Sequence, residues 1–355
     1  MENTDPLFFF SRILVEQECV LRNVENILVD SQNEARASAA VALKQDVLQW
    51  LSIYDFEAMY ARAASIRSPG TCGWLLEVEE FRALDRSEMP CLWLHGMAGS
   101  GKTILASRVI DHFLSAPKHD RGSIAYFYCD AGDSDSLRTE VVLGSLLFQL
   151  CAQLDAMPPP ILEAFKESGR IPGQRRRPTV DQLRAMALLA LVESKRPIFV
   201  IDGIDEVNDR RVLCEALTSL LSDPSNDLRA FLASRSEPDI RAALSKLVAI
   251  SSQSAPAGDD IDSYIDDQMV KNPRFQTMTA RMRHLVRQAL RKNAQGMWAC
   301  PSRPLRKYLS VFIYLMSGRF RWVQCQIDEM SKIRTDKAIK AALANLPVGL
   351  EETYA

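Results

Sequence analysis

The residues Gly96, Met97, Ala98, Gly99, Ser100, Gly101, Lys102 and Thr103 run G-M-A-G-S-G-K-T and fit the pattern G-x-x-x-x-G-K-[ST] in full. Glycines at these places let a backbone turn tightly and aim successive amides at phosphate oxygens. A helix starting directly afterwards adds the positive end of its dipole. In such a loop Lys102 reaches the β- and γ-phosphates, and the Thr103 hydroxyl takes a position on a magnesium ion. In a chain of this length a chance match is on the order of one in a hundred. A second candidate is the run PIFVIDGIDEV at 197–207. Four apolar residues ending in Asp202 describe a buried strand that delivers a carboxylate to its C-terminal end, the edge where α/β sheets bind ligands. Asp202 is placed to hold Mg²⁺ through water, and Asp205 and Glu206 follow where a carboxylate could polarise an attacking water. The same acidic pair also suits a solvated helix start. The third candidate is FLASR at 231–235, a strand whose end presents Arg235. Its guanidinium could meet a γ-phosphate, or it could lie in a surface loop.

These residues need elements to hold them, and the hydrophobic pattern supplies a consistent set. CLWLHG (91–96) reads as a strand entering the glycine-rich loop, and TILASRVIDHFL (103–114) as the helix leaving it. SIAYFYCD (123–130) is a strand, 136–154 a helix, 179–193 another helix, and 196–207 and 228–238 contain two more strands. LVAISS (247–252) is a candidate fifth strand. Strands alternating with helices imply parallel βαβ units, hence an α/β fold: a three-layer P-loop sandwich with a parallel sheet, flanked by N-terminal helices and a C-terminal helical region. Residues 7–54 have apolar positions at helical spacing and almost no Gly or Pro, and SPGTCG (68–73) is a turn-rich break. Beyond about residue 258 the pattern is helical. The expected division is therefore 1–67, an N-terminal helical region and linker; 68–256, the nucleotide-binding core; and 257–355, a C-terminal helical part.

Composition narrows the function. The chain has 355 residues, 47% of them hydrophobic, and a net charge of −2. No global basic field is present to recruit nucleic acid or a membrane surface, and neither is expected as a partner. The basic run Arg175-Arg176-Arg177, between Gly173 and Pro178, reads as a solvated loop. Eight cysteines are scattered without a CxxC pair and only four histidines accompany them. That argues for reduced thiols rather than a disulfide or zinc framework, and for a cytoplasmic protein. The longest late apolar stretch, YLSVFIYLM (308–316), is far below the ~20 residues of a membrane helix.

GMAGSGKT, FVIDGIDEV and LASR, in that order, resemble the NACHT family of STAND signal-transduction ATPases. The DGIDE box is the most specific element: a small residue follows the magnesium Asp, then a further acidic pair. Residues 50–81 are similar to the segment preceding the P-loop in fungal NOD-like receptors and nephrocystin-3-like N-terminal domains, with Cys72 a departure from a pattern close to G-T-G-x-W-L-L. Residues 322–355 resemble the helices that close the module. The resemblance implies a switch between ATP and ADP with Mg²⁺, slow hydrolysis, self-association through the NTPase module, and repeats C-terminal to it; protein partners are not implied by any residue. A nucleotide-bound interaction scaffold without turnover is the alternative from another class. Relatives run from the Gly-Met pair straight into aromatic residues, as a G-M-F-x-W helix. Here Gly296-Met297 and Phe320-Arg321-Trp322 are parted by 298–319, which carries two prolines and the apolar nonamer. Met297-Trp298 must be encoded ATGTGG, which contains a GT donor, so we expect 298–319 to be the translation of a retained intron of 66 nucleotides, a genuine loop insertion being the alternative.

Overall fold

The computed structural model describes residues 31–36, 38–117, 122–169, 175–252, 257–296 and 319–346. Residues 298–318 of the expected intron product and residues 7–30 of the N-terminal helical reading lie outside them. In chain order the elements are α1 (38–51), α2 (Glu57–Ile66), α3 (Gly73–Glu77), α4 (Glu79–Asp85), β1 (Cys91–His95), α5 (Lys102–Leu114), β2 (Ile124–Tyr128), α6 (Thr139–Gln153), α7 (Pro159–Glu167), α8 (Val180–Glu193) and β3 (Ile198–Asp202). After a 3₁₀ turn (Ile204–Glu206) come α9 (Arg210–Leu221), β4 (Arg229–Ser234), α10 (Pro238–Ala243), β5 (Val248–Ser251), α11 (Ala257–Lys271), α12 (Pro273–Gln276), α13 (Ala280–Gly296), α14 (Arg319–Lys332) and α15 (Asp336–Ala344).

The five strands form one sheet in the order β2-β3-β4-β1-β5, and every pairing is parallel. Parallel strands are covered on both faces, which is why β1 to β4 are apolar runs without polar alternation. Successive residues of one strand feed opposite layers. Phe199 and Ile201 of β3 join the core built with α1, α6, α8 and α9, whereas Ile198 and Val200 join the core built with α2 to α5. The result is the α/β three-layer sandwich expected from the strand–helix alternation. A third core gathers α11 to α15 around Ile265, Phe275, Leu290, Trp322 and Ile327. α13 and α14 are both members of that core and are in contact with one another.

Packing of the central sandwich begins well N-terminal of residue 67: Val47, Leu48, Trp50 and Leu51 of α1 are all buried in it. The basic loop is exposed at Arg176 and Arg177, as expected of a solvated segment, and it also ties α1 down. Arg177 Nη1 donates to the carbonyls of Gln49 and Trp50 at 2.7 and 2.6 Å, placing a cation where the α1 dipole is negative. The Trp50 indole donates to the Arg176 carbonyl at 2.9 Å, and the Arg175 guanidinium sits 3.8 Å above the Phe165 ring. All six described cysteines are free, and five of them are buried.

β2 lies at a sheet edge, and its outward backbone groups are satisfied by side chains of α6. Gln149 accepts from Tyr126 N at 3.0 Å and donates to Tyr126 O at 2.8 Å. Gln153, one turn on, does the same for Ile124 at 3.1 and 2.7 Å. Two primary amides thus stand in for a neighbouring strand and close an edge that could otherwise recruit another chain. Gln149 is buried and Gln153 exposed. Gln149→Leu should therefore cost about 2 kcal/mol or more, because two buried backbone groups lose their partners, while Gln153→Ala should cost under about 1 kcal/mol because water replaces the amide. Urea unfolding of the two variants measures the difference; equal costs would contradict this account of the edge.

Candidate functional site

The sheet brings the three sequence motifs to one rim. β1 ends at His95 and the glycine-rich loop follows, with Gly99 and Gly101 at φ +75° and +88° immediately before α5. These left-handed values favour glycine, and they reverse the chain so that α5 starts with its N-terminus over the loop. β4 lies between β1 and β3, so Ser234 and Arg235 emerge between the loop and Asp202. The strand ends are stitched together: Gly96 N donates to Ser234 O at 3.2 Å, Gly203 N to Ala233 O at 2.9 Å, and the Trp93 indole to Ser234 Oγ at 2.8 Å.

Asp202 and Thr103 meet directly. The Thr103 hydroxyl donates to Asp202 Oδ2 at 2.6 Å. Asp202 is only 5% exposed, and burial raises its carboxyl from the ordinary value to about 6, against the lowering effects of the Thr103 hydrogen bond and the Lys102 charge. Lys102 is turned onto the loop, donating to the carbonyls of Gly96 and Met97 at 2.8 Å each, and burial lowers its pKa. A hydroxyl and a carboxylate in contact at a helix N-terminus suit Mg²⁺ that also takes phosphate oxygens. Among the described residues no group of three or more His, Cys, Asp or Glu could hold a metal alone.

The acidic pair and Arg235 form a second cluster. Gly203, at φ +80°, turns the chain out of β3, and a Cβ there would stand 2.5 Å from the Cys129 carbonyl. This is the physical reason for a residue without a side chain after Asp202. Both carboxylate oxygens of Asp205 are engaged by Arg235: Oδ1 accepts its backbone N–H at 2.8 Å and Oδ2 lies 3.2 Å from Nε. Glu206 Oε2 accepts from Ala131 N at 2.6 Å, and its Oε1 is 3.7 Å from the Arg235 guanidinium. Arg235, expected at a γ-phosphate, is thus held by the two acidic residues, and Asp205 is too enclosed to be a merely solvated helix start.

A cavity of about 540 Å³ opens beside the loop, within the range of small-molecule and cofactor pockets. Gly99 to Leu105 form its floor. Its walls come from Ser65 to Trp74 on one side and from Asp260, Tyr264, Gln268 and Lys271 of α11 with Gln324 and Asp328 of α14 on the other. The walls are joined by hydrogen bonds of 2.9 Å each: Ser68 Oγ to Asp267 Oδ2, and Cys72 N to Asp260 Oδ2. Cys72 stands at φ +67°, a left-handed position where glycine would be unstrained, which fits its departure from the glycine-rich pattern. The α11 and α14 residues and Ser252, beside the loop, were not singled out in the sequence. They reach the loop and the opposite wall from about 150 to 260 residues away, which no local pattern records.

This sheet order, with a G-x-x-x-x-G-K-T loop after β1 and an aspartate at the end of β3, defines a P-loop NTPase, and the protein is nucleotide-binding. Residues 70–235 match the model of the family Nephrocystin 3, N-terminal. The chain is 25% identical over 309 residues to the vegetative incompatibility protein HET-E-1 of Podospora anserina. The alignment covers 85% of this chain and 21% of that protein, so the chain spans about a fifth of its relative's length. Both matches are what a resemblance to NACHT-like STAND proteins predicts. Solved structures with some likeness include the Aeropyrum pernix ORC1 protein in complex with DNA, at 13% identity and a TM-score of 0.38 over 81% of this chain and 78% of that one. Another is the FIGL-1 AAA domain in complex with ADP, at 14% identity and a TM-score of 0.32 over 80% and 90%. Scores this low carry no argument, and the fold is read from the sheet itself. Among the described residues no helix is long and apolar enough to cross a membrane.

The raised pKa of Asp202 has a stability consequence. A carboxyl whose folded-state pKa lies near 6 favours folding most below its unfolded value of about 4, and that contribution is lost as pH rises through 6. Above pH 7 the fold carries an ionised, buried carboxylate at a cost of about 2–3 kcal/mol. Asp202→Asn should therefore have a higher Tm than the wild type at pH 8, and the gap should shrink towards pH 5. Thermal melts of both proteins across that range check this; a gap independent of pH would contradict the assignment.

Proposed function

We propose that the chain is an adenine-nucleotide switch of the NACHT type, binding ATP or ADP with Mg²⁺ and hydrolysing ATP slowly. The observation that carries the reading is the composition of the cavity. One side is the phosphate loop of the core and the other is α11 and α14, so a ligand seated there touches both. Its occupancy and phosphate count then bias how the C-terminal helices sit on the core, which is what a switch requires. In this reading the amides of Gly96 to Thr103 cradle the phosphates, Lys102 neutralises their charge, and Thr103 and Asp202 hold the metal side. The natural division of the module is a P-loop core to about residue 256 and a helical part beyond it. Self-association of the ATP form through the NTPase module belongs to the same proposal.

The two acidic residues have different work. Asp205, with both oxygens on Arg235 and a side chain only 5% exposed, holds the arginine in place. Glu206 is 26% exposed and keeps one oxygen free of any short contact, so it is the carboxylate able to orient a water. Arg235 approaches the γ-phosphate when that pairing loosens.

Lys102→Ala should weaken Mg·ATP binding beyond measurement and ADP binding markedly, because a buried phosphate charge loses its counter-charge. Titration of the folded variant with a fluorescent nucleotide tests this, and unchanged affinity would remove the phosphate-loop assignment. Glu206→Gln should keep nucleotide affinity within about threefold of wild type and slow single-turnover hydrolysis by roughly 10²-fold. Asp205→Asn should slow it less. If Glu206→Gln turns over ATP at the wild-type rate, the water-orienting role is wrong.

A further inference from the structure

β5 is the edge strand beside β1, and its last residue is followed by Ser252, whose backbone N–H donates to the His95 carbonyl at 2.8 Å. That bond continues the β1–β5 pairing by one step and brings Ser252 against the start of the glycine-rich loop. The Ser252 hydroxyl is 2.9 Å from the Ser100 hydroxyl. Ser252 is 7% exposed, so the pair is shielded from water along most of its surface. Approach to the loop is close enough to constrain its sequence: a Cβ on Gly96 would stand 1.9 Å from Ser252 Oγ and 2.9 Å from Ser100 Oγ. A side chain at Gly96 would therefore displace the Ser252 and Ser100 hydroxyls from each other.

We propose that Ser252 is a positioning residue for the phosphate loop, acting through Ser100. This rests on the reading of Gly96–Thr103 as the nucleotide site. The loop has one flank stitched to β4 through Gly96 N and Ser234 O, and α5 fixes its far end. Ser100 follows its exposed turn at Ala98-Gly99, and its side-chain link to Ser252 supplies the flank on the β5 side. A loop whose amides must converge on phosphate gains affinity when its shape is set before the ligand arrives. Ser252 also lies only a few residues before α11, whose Asp260 accepts from Cys72 N across the same cavity. The Ser100–Ser252 bond and the Cys72–Asp260 bond thus lie on two sides of the same cavity.

A double-mutant cycle on the full chain tests the coupling, with ADP and Mg·ATP affinity as one readout and Tm as the other. Ser252→Ala and Ser100→Ala should each weaken nucleotide binding by about three- to tenfold, the range of one hydrogen bond lost. The double variant should be no weaker than the worse single one, and all three should melt within a few degrees of wild type. Losses that multiply would overturn the proposal, since the residues would then act separately; so would unchanged affinity in Ser252→Ala. Lys102→Ala, measured in parallel, separates the two levels. If Lys102→Ala abolishes binding while Ser252→Ala is silent, only the positioning role falls. If Lys102→Ala is also silent, the nucleotide site and this proposal fall together.

Discussion

The hydrogen bond between Thr103 and Asp202 joins the start of α5 to the end of β3, two elements that belong to strands not adjacent in the sheet. It exists because β4 is inserted between β1 and β3 and because all five strands run the same way, so their C-terminal ends share one rim. A buried carboxylate is costly, and here a hydroxyl and a nearby ammonium offset part of that cost. The helix dipole, the glycine turns and the parallel register all serve to bring those three groups within reach. The same insertion puts Arg235 beside Asp205 and Glu206.

The cavity extends this arrangement beyond the sheet. Its phosphate end is rigid, built from strand ends and a helix N-terminus. Its other end depends on α11 and α14, which have their own hydrophobic core and reach the sandwich through polar links such as Ser68–Asp267 and Cys72–Asp260. Separate cores joined by hydrogen bonds can shift relative to one another far more cheaply than a single core can be repacked. In the proposed reading, a nucleotide seated at that junction would have the mechanical means to report its phosphate count.

Much of this was legible in the sequence because it is written locally. The strands β1 to β4 are unbroken apolar runs, the phosphate-loop pattern spans eight residues, and Asp202 follows directly from a buried strand. The glycine after Asp202 was legible as a pattern, but its cause, the Cys129 carbonyl, lies on a neighbouring strand end. What could not be read is carried by distance along the chain. Arg177 reaches back to α1, Gln149 and Gln153 look like ordinary helix-surface residues, and Ser252 has no motif around it. Three adjacent cations suggest a solvated loop, which the exposed Arg176 and Arg177 form, and only the fold shows the helix end and the Phe165 ring that they also meet.

The most direct test of the central claim is the nucleotide content of the purified protein, released by denaturation and identified by chromatography. A site that holds its ligand between a rigid phosphate loop and the C-terminal helices predicts close to one adenine nucleotide per chain, retained through purification and exchanged only slowly for added nucleotide. Protein that carries none, and takes up neither ADP nor Mg·ATP when these are supplied, would contradict the account.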